Sequence, residues 1–458
     1  MTADFPPTGA AEDPSLAGPG VLARGWPGLD ATFHEQAMEF ARSPAGAPFL
    51  RELEGDITRY RGEPFPLGSG VPMCVEDAQG RALARFAAAY HRCVETIVRA
   101  WCESEEVRRV VVLPGELSGI VGAGSIEDSR IHFCRLDMVP GEAGGCKVVE
   151  TNANCPGGLE LAGRASRAWR GSLSSAGLEL PDPLDHEGAR WMGSWFLKAA
   201  AEETGEHPEF VVLLRWEGGN RLSLPGFATE LRALGTEVVE ADPRELAPGR
   251  NGALRLNGRR VRHAYWKLGM RHLRAVRSEV GHVIDALQEG RLWVQNGVAG
   301  RFVGDNKLCL AILSDPEFRA LFDGEDLSVV RSHVPWSRNI SLCDGDEVGV
   351  IKARAGDYVL KSPLDTRGNG VVIGREVASQ EAWERAVDLA VAHAWLVQAY
   401  FHPAQLDTLV AGERAWRYHD LTLGLVGGRL AGAYARSSHG ARSNVAVAGC
   451  LHPVFSEA

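Results

Sequence analysis

Arg135-Leu136-Asp137, a Pro/Gly-rich gap, and then Lys147-Val148-Val149-Glu150-Thr151-Asn152-Ala153-Asn154-Cys155-Pro156-Gly157-Gly158 form the stretch from which the fold can be read. Each half reads as a short strand, and Pro140, Gly141, Gly144 and Gly145 supply the reversal between them. Side chains alternate faces along a strand, so Arg135 and Asp137 share one face, as do Glu150 and Asn152. If the strands pair with those faces aligned, two carboxylates, an amide oxygen and a guanidinium converge. A hard divalent cation that prefers oxygen would satisfy such a cluster. So would a buried ion-pair network with Arg135 and no metal.

Composition narrows the classes. A chain of 458 residues exceeds one ordinary domain, so two or three lobes are expected. A hydrophobic content of 45% and a charged content of 24% suit a soluble globular protein. The net charge of -10 argues against general binding to nucleic acid or anionic membranes. The nine cysteines are scattered with no CxxC pair, which points to neither a zinc site nor a thioredoxin-type motif and suits reduced thiols. Met1 to Pro7 lacks a basic start and an apolar core, so no signal peptide is expected. No run of about 18 apolar residues occurs, so no transmembrane helix is expected. A cytoplasmic location follows as an expectation.

Taken in order, residues 1–25 are rich in Pro, Gly, Ala and acidic residues and read as a loosely packed tail. Apolar residues at helical spacing predict a long amphipathic helix over 81–103, from Leu83 to Trp101. Val107 to Leu113 reads as a strand, and Gly158 to Arg170 as a helix. From Pro208 a βαβ pattern follows: strand 210–214, helix 226–233, strand 237–242, and hence a parallel sheet. The loop after its first strand, Trp216-Glu217-Gly218-Gly219-Asn220, is not GxGxxG, which weighs against a dinucleotide site. Arg259 to Trp266 reads as a further strand and Gly281 to Leu287 as a helix. Asp305 looks like a cap before an apolar helical run, with Lys307 in its first turn, an odd place for a cation unless an anion lies nearby. Strands are expected at 358–361, 371–374 and 395–400, with a helix capped by Ser379. Strands alternate with turns through Asp420 and Arg436.

Lys361 ends a strand just before the glycine-rich loop Asp365-Thr366-Arg367-Gly368-Asn369-Gly370. Gly368 and Gly370 would let backbone amides approach a phosphate. No GxxxxGK[ST] is present, so this is not a P-loop. The loop is either a flap over a triphosphate or an ordinary hairpin turn with an exposed lysine. Gln398, isolated in an apolar strand, suits either a hinge beside a purine or a half-exposed edge.

Asn306-Lys307, Leu360-Lys361-Ser362-Pro363, Thr366 through Gly374, Trp383 and Leu396-Val397-Gln398 together resemble the ATP-grasp superfamily. More narrowly, the chain is similar to the circularly permuted branch typified by the synthetase domain of glutathionylspermidine synthase. In that branch the magnesium-binding segment precedes the nucleotide lobes, with Arg-x-Asp followed by Glu-x-Asn, as in Arg135-x-Asp137 and Glu150-x-Asn152. The resemblance spans about residues 130 to 445. It implies an α/β fold with a mobile tail (1–25), an N-terminal region carrying the permuted magnesium hairpin (26–200), a pre-ATP-grasp βαβ lobe (201–300) and the nucleotide-binding lobes (301–458).

It also implies ATP and Mg²⁺ as cofactors. Asp137, Glu150 and Asn152 would be the Mg²⁺ ligands. Lys307, Lys361, Arg367, Gly368 and Gly370 would surround the phosphates, with Gln398 beside the adenine and Arg436 as a further phosphate contact. Arg135 would stabilise the acyl-phosphate and tetrahedral species. The implied activity joins a small-molecule carboxylate to an amine through an acyl phosphate with release of ADP, on an amino acid or small peptide, in peptide-like secondary metabolism. A homodimer is left open. A phosphotransferase and a catalytically silent nucleotide-binding scaffold on the same fold are the alternatives. Two departures stand out: Asn154 occupies the place of an acidic residue, and Lys361-Ser362-Pro363 displaces the family's Lys-Pro by one.

Overall fold

The computed structural model describes residues 28–456 except 56–58, 61–62, 65–67, 122–128, 143, 155, 179–190, 217–222, 366–367, 411 and 441–448. The expected tail (1–25) and the 217–220 loop lie outside the described residues, as does Arg367.

The 133–152 stretch forms the hairpin that its sequence implies. Phe133–Pro140 and Cys146–Asn152 pair antiparallel, with Arg135 opposite Asn152 and Asp137 opposite Glu150. The register shifts between Asp137 and Met138, a bulge of the kind that re-aims side chains at functional edges. The hairpin joins a large sheet through its first strand, which pairs antiparallel with Glu413–Val426. That long strand pairs in turn with Arg429–Ser438, which pairs with Cys450–Ser456. Gln405–Val410 covers the other end of the long strand. Residues from the 26–200 and 301–458 stretches therefore share one sheet.

The amphipathic helix is Asp77–Glu103, and it buries Leu83, Phe86, Tyr90, Val94, Ile97 and Trp101 in the main core. The βαβ pattern also forms: Phe210–Arg215, helix Leu224–Ala233 and Glu237–Ala241 belong to a four-stranded parallel sheet with His263–Lys267 and Trp293–Val294. A third sheet, wholly antiparallel, is ordered Ser337–Asn339, Leu396–Ala399, Tyr358–Lys361, Val371–Ile373. The helix Gln380–Ala392, capped by the Ser379 hydroxyl, packs on it through Trp383, Val387 and Ala390. Among the described residues no helix is long and apolar enough to cross a membrane.

Three expectations are overturned. Val107–Leu113 is not a strand: Glu105–Val110 is a helix, with the Ser104 hydroxyl accepting from the Val107 amide. Glu105 and Glu106 stand at its start and Arg108 and Arg109 at its end, so the charges complement the helix dipole, and Val107 and Val110 fall on one buried face. Arg259 to Trp266 splits into Arg259–Val261, in a small antiparallel sheet, and His263–Lys267 in the parallel one. Asp305 does not start a helix: it follows Val298–Gly304, and the next helix is Cys309–Ser314.

Candidate functional site

The hairpin carries its charged residues on the side where Asp420, Thr422 and Arg436 emerge from the neighbouring strands. Arg135 grips Asp137 with two parallel bonds, Nε to Oδ1 and Nη2 to Oδ2, both 2.8 Å. Arg436 Nη2 reaches the same Oδ2 at 3.0 Å. Asn152 Nδ2 donates to Oδ2 at 3.3 Å and the Thr422 hydroxyl to Oδ1 at 3.2 Å. Burial alone would raise the Asp137 carboxyl, but the two guanidiniums hold it below the usual carboxylate range. Arg436 is itself shared with Asp420, which accepts from its Nε at 2.9 Å and its backbone amide at 3.1 Å.

Glu150 stands directly opposite Asp137 but is bound differently. Its Oε1 accepts from Asn152 Nδ2 at 3.3 Å and its Oε2 lies 3.3 Å from Lys307 Nζ. Its side chain keeps 24% of its exposure, against 1% for Asp137. Glu150 and Asn152 thus offer oxygen donors of the type that a hard cation takes, on a side still open to solvent.

The third sheet meets this cluster. Lys361 Nζ donates to the Val149 carbonyl at 3.0 Å and to Gln398 Oε1 at 2.7 Å. Gln398 Nε2 in turn donates to the Ser337 hydroxyl at 3.0 Å. Burial pulls the Lys361 ammonium down to about 7; Glu150 works against this and Lys307 adds to it. Lys307 sits in the turn between two helices, where its Nζ donates to the Asp365 carbonyl at 2.6 Å and its amide to the Pro363 carbonyl at 3.0 Å. It therefore pins the entry to the glycine loop. Gly368 and Gly370 take positive φ of 74° and 67°, and a Cβ on Gly370 would meet that of Ser362 at 2.5 Å. Lys307, Lys361, Gln398, Arg135, Asp137, Glu150, Asn152 and Arg436 form one connected network.

The turn after the hairpin is held by residues that sequence reasoning missed. Asp305, read as a helix cap, instead accepts from the amides of Ala153 at 2.7 Å and Asn154 at 2.9 Å. Burial raises its carboxyl despite those bonds. Asn154 stands where the resemblance calls for an acid; it is buried, and its side-chain oxygen accepts from Arg301 Nη1 at 3.2 Å. Asp420 and Thr422 were also missed. Their signal is period-2 alternation, in which Leu421, Leu423 and Leu425 fill the core face while Asp420 and Thr422 fill the other. Among the described residues, no cluster of three or more His, Cys, Asp or Glu side chains could hold a metal ion.

No family model and no curated protein matches this chain. Among solved structures, a glutathione synthetase-like effector from Globodera pallida, in its apo form, is similar in fold. It superposes with a TM-score of 0.59 at 14% sequence identity, covering 93% of this chain and 97% of that one. The chain is a mixed α/β protein whose overall arrangement, over nearly its whole length, is similar to that of this glutathione synthetase-like protein.

Proposed function

We propose that the protein is an ATP-grasp carboxylate–amine ligase with the lobes in permuted order, forming an amide bond with release of ADP on an amino acid or small peptide. The carrying observation is the junction between the hairpin and the third sheet: Lys307 Nζ lies 3.3 Å from Glu150 and Lys361 Nζ binds the Val149 carbonyl. Two lysines that would bind phosphate thus abut the carboxylate that would bind magnesium. The fold of a glutathione synthetase-like neighbour supports the reading.

Each residue then has a task. Lys307 and Lys361 neutralise the phosphates, and Gln398, already bonded to Lys361, lies at the base position. The glycine loop, anchored through Lys307, covers the phosphates. Glu150 and Asn152 would hold Mg²⁺, an ion that takes few protein oxygens alongside substrate phosphates. The bound ion would offset negative charge during phosphoryl transfer. Asp137 accepts five donors and has no oxygen to spare; its role is to be the counter-ion of Arg135 and Arg436. In this reading the counter-ion role stands in place of the third-ligand role that the resemblance implies for Asp137. Arg135, held flat by Asp137, presents positive charge to the acyl phosphate and to the tetrahedral species formed when the amine attacks.

The test is ADP release with mixed carboxylic acids and amines, with products identified by mass spectrometry. An amide product is expected. A phosphorylated acid that persists would instead make the protein a phosphotransferase, and no nucleotide turnover would make it a binding protein.

A further inference from the structure

The short helix Val298–Gly304 is flanked by Asn296 before it and Asp305 after it, and both side chains reach the hairpin where its strands part. The strand pairing ends at Arg135 opposite Asn152. Just beyond that pair the Asn296 amide stands in for a further ladder residue. Its Oδ1 accepts from the Phe133 amide at 2.8 Å, and its Nδ2 donates to the Phe133 carbonyl at 2.7 Å and also to the Ala153 carbonyl. One side chain thus bonds both strands and sets the gap between them. Asn296 does this from a positive φ of 61°, a conformation that asparagine adopts more readily than most residues.

Asp305 completes the hold on Ala153. Its Oδ1 accepts from the Ala153 amide at 2.7 Å and from the Asn154 amide at 2.9 Å. Ala153 therefore has its carbonyl fixed from one end of the helix and its N–H from the other. The helix can lie this close because it meets the hairpin with glycine. A Cβ on Gly300 would overlap the Arg130 carbonyl, and one on Gly304 would come within 2.7 Å of Ile131 Cδ1 and 3.4 Å of the Ala153 Cβ. Both Asn296 and Asp305 are buried. An aspartate buried in this way is a poor source of stability. What it supplies is a fixed place for two backbone amides.

The same segment carries the other half of the candidate site. Two residues after Asp305, Lys307 lies 3.3 Å from Glu150 and donates to the Asp365 carbonyl at 2.6 Å. On the hairpin side, Ala153 directly follows Asn152. Residues 296–307 thus span from the end of the strand pair that bears Arg135 and Asn152 to the lysine at the entry of the glycine loop.

We propose that Asn296 and Asp305 are positioning residues: they hold Asn152 and Arg135 in fixed register with Lys307, and so set the affinity for magnesium with ATP without touching either. The assignment rests on the ligase reading given above.

Titrating free magnesium at a fixed ATP concentration, with thermal unfolding of the full chain as the readout, tests it. The wild-type midpoint should rise with magnesium in a saturable way. Asp305→Ala should need about 10–100-fold more magnesium for half of that rise, the usual scale for residues that orient a metal's ligands. Asp305→Asn keeps an acceptor oxygen and should recover most of the difference. Asn296→Gly suits the positive φ and removes only the amide. It should raise the requirement likewise, which keeps the test open if Asp305→Ala does not fold. Leu173→Ala leaves a cavity in a separate core cluster, so it should lower the starting midpoint and leave the magnesium requirement as it is. An unchanged requirement in Asp305→Ala or in Asn296→Gly, an equal rise in Leu173→Ala, or no recovery in Asp305→Asn would overturn the assignment and leave the ligase reading standing. A wild-type midpoint indifferent to magnesium in the presence of ATP would remove the ligase reading, and the assignment with it.

Discussion

Asp137 and Glu150 sit opposite each other on one hairpin, carry the same charge and look equivalent in the sequence, yet the fold treats them differently. Asp137 is walled in by Arg135, Arg436, Asn152 and Thr422, whereas Glu150 meets Lys307 and the Asn152 amide, with Arg135 only at 4.0 Å, and remains half-buried. The difference comes from what flanks them. Asp137 lies on the inner strand, next to Glu413–Val426 and one strand from Arg436; Glu150 lies on the outer strand, facing the sheet that bears Lys361. A carboxylate in a closed network is a structural charge, and one left half-open can exchange its partners for a ligand.

The largest effect should separate them by stability. Asp137→Ala leaves two buried guanidiniums without their shared counter-ion and should cost about 3–5 kcal/mol in urea unfolding. Because its carboxyl is held below the usual range, this contribution is fully present above about pH 4 and is lost as pH falls further, so the gap between variant and wild type should close in acid. Arg135→Ala leaves Asp137 still paired with Arg436, so it should cost less stability while lowering turnover by about 10²–10³. Equal stability losses in Asp137→Ala and Glu150→Gln would erase the distinction.

Glu150→Gln should do the reverse. Its stability should fall less than that of Asp137→Ala, since the amide keeps the half-buried side chain and only the charge beside Lys307 is lost, while turnover in the proposed ligase reaction falls by about 10²–10³. Magnesium should no longer add to the stabilisation by ATP, read as the thermal shift with and without the ion. A magnesium-dependent shift that survives in Glu150→Gln but not in Asp137→Ala would reverse the assignment.

The hairpin was legible because strand alternation and a Pro/Gly reversal are local: they put Arg135 with Asp137 on one face and Glu150 with Asn152 on one face, and the observed pairing aligns the two. The asymmetry between the carboxylates was not legible: it is set by Arg436 and Thr422, nearly 300 residues away, through a pairing that no local pattern encodes. Asp305 shows the same limit. An aspartate before an apolar run looks like a cap, but its acceptors were claimed by the amides of 153 and 154, and tertiary contacts overrode local preference. Val107 to Leu113 failed on period: Val-rich segments suit strands, yet Ser104 and the flanking charges make a short helix there.

Lys361 extends the contrast to protons. Its folded value of about 7 lies below the ordinary 10.5, so between those limits the unfolded chain binds more protons and stability rises with pH. Nucleotide phosphates would favour the charged form, so ATP binding just above pH 7 should take up a fraction of a proton, measured by calorimetry in buffers of different ionisation enthalpy. Lys361→Met should remove both the uptake and the rise in stability. Uptake unchanged in that variant would place the titrating group elsewhere.

The smallest effect probes how completely Asp137 is closed. The Thr422 hydroxyl donates to Oδ1 from a side chain that is 0% exposed, on a strand whose alternate residues are core leucines. Thr422→Val keeps the shape and removes one of five donors, so it should cost about 1 kcal/mol in urea unfolding. Turnover should hardly change, because Arg135 still bonds both oxygens and keeps its orientation. If turnover instead fell in step with loss of Arg135, Asp137 would need all five donors to hold the guanidinium in register. The saturated carboxylate would then be a positioning residue as well as a structural charge, and the line between the two ends of the hairpin would have to be redrawn.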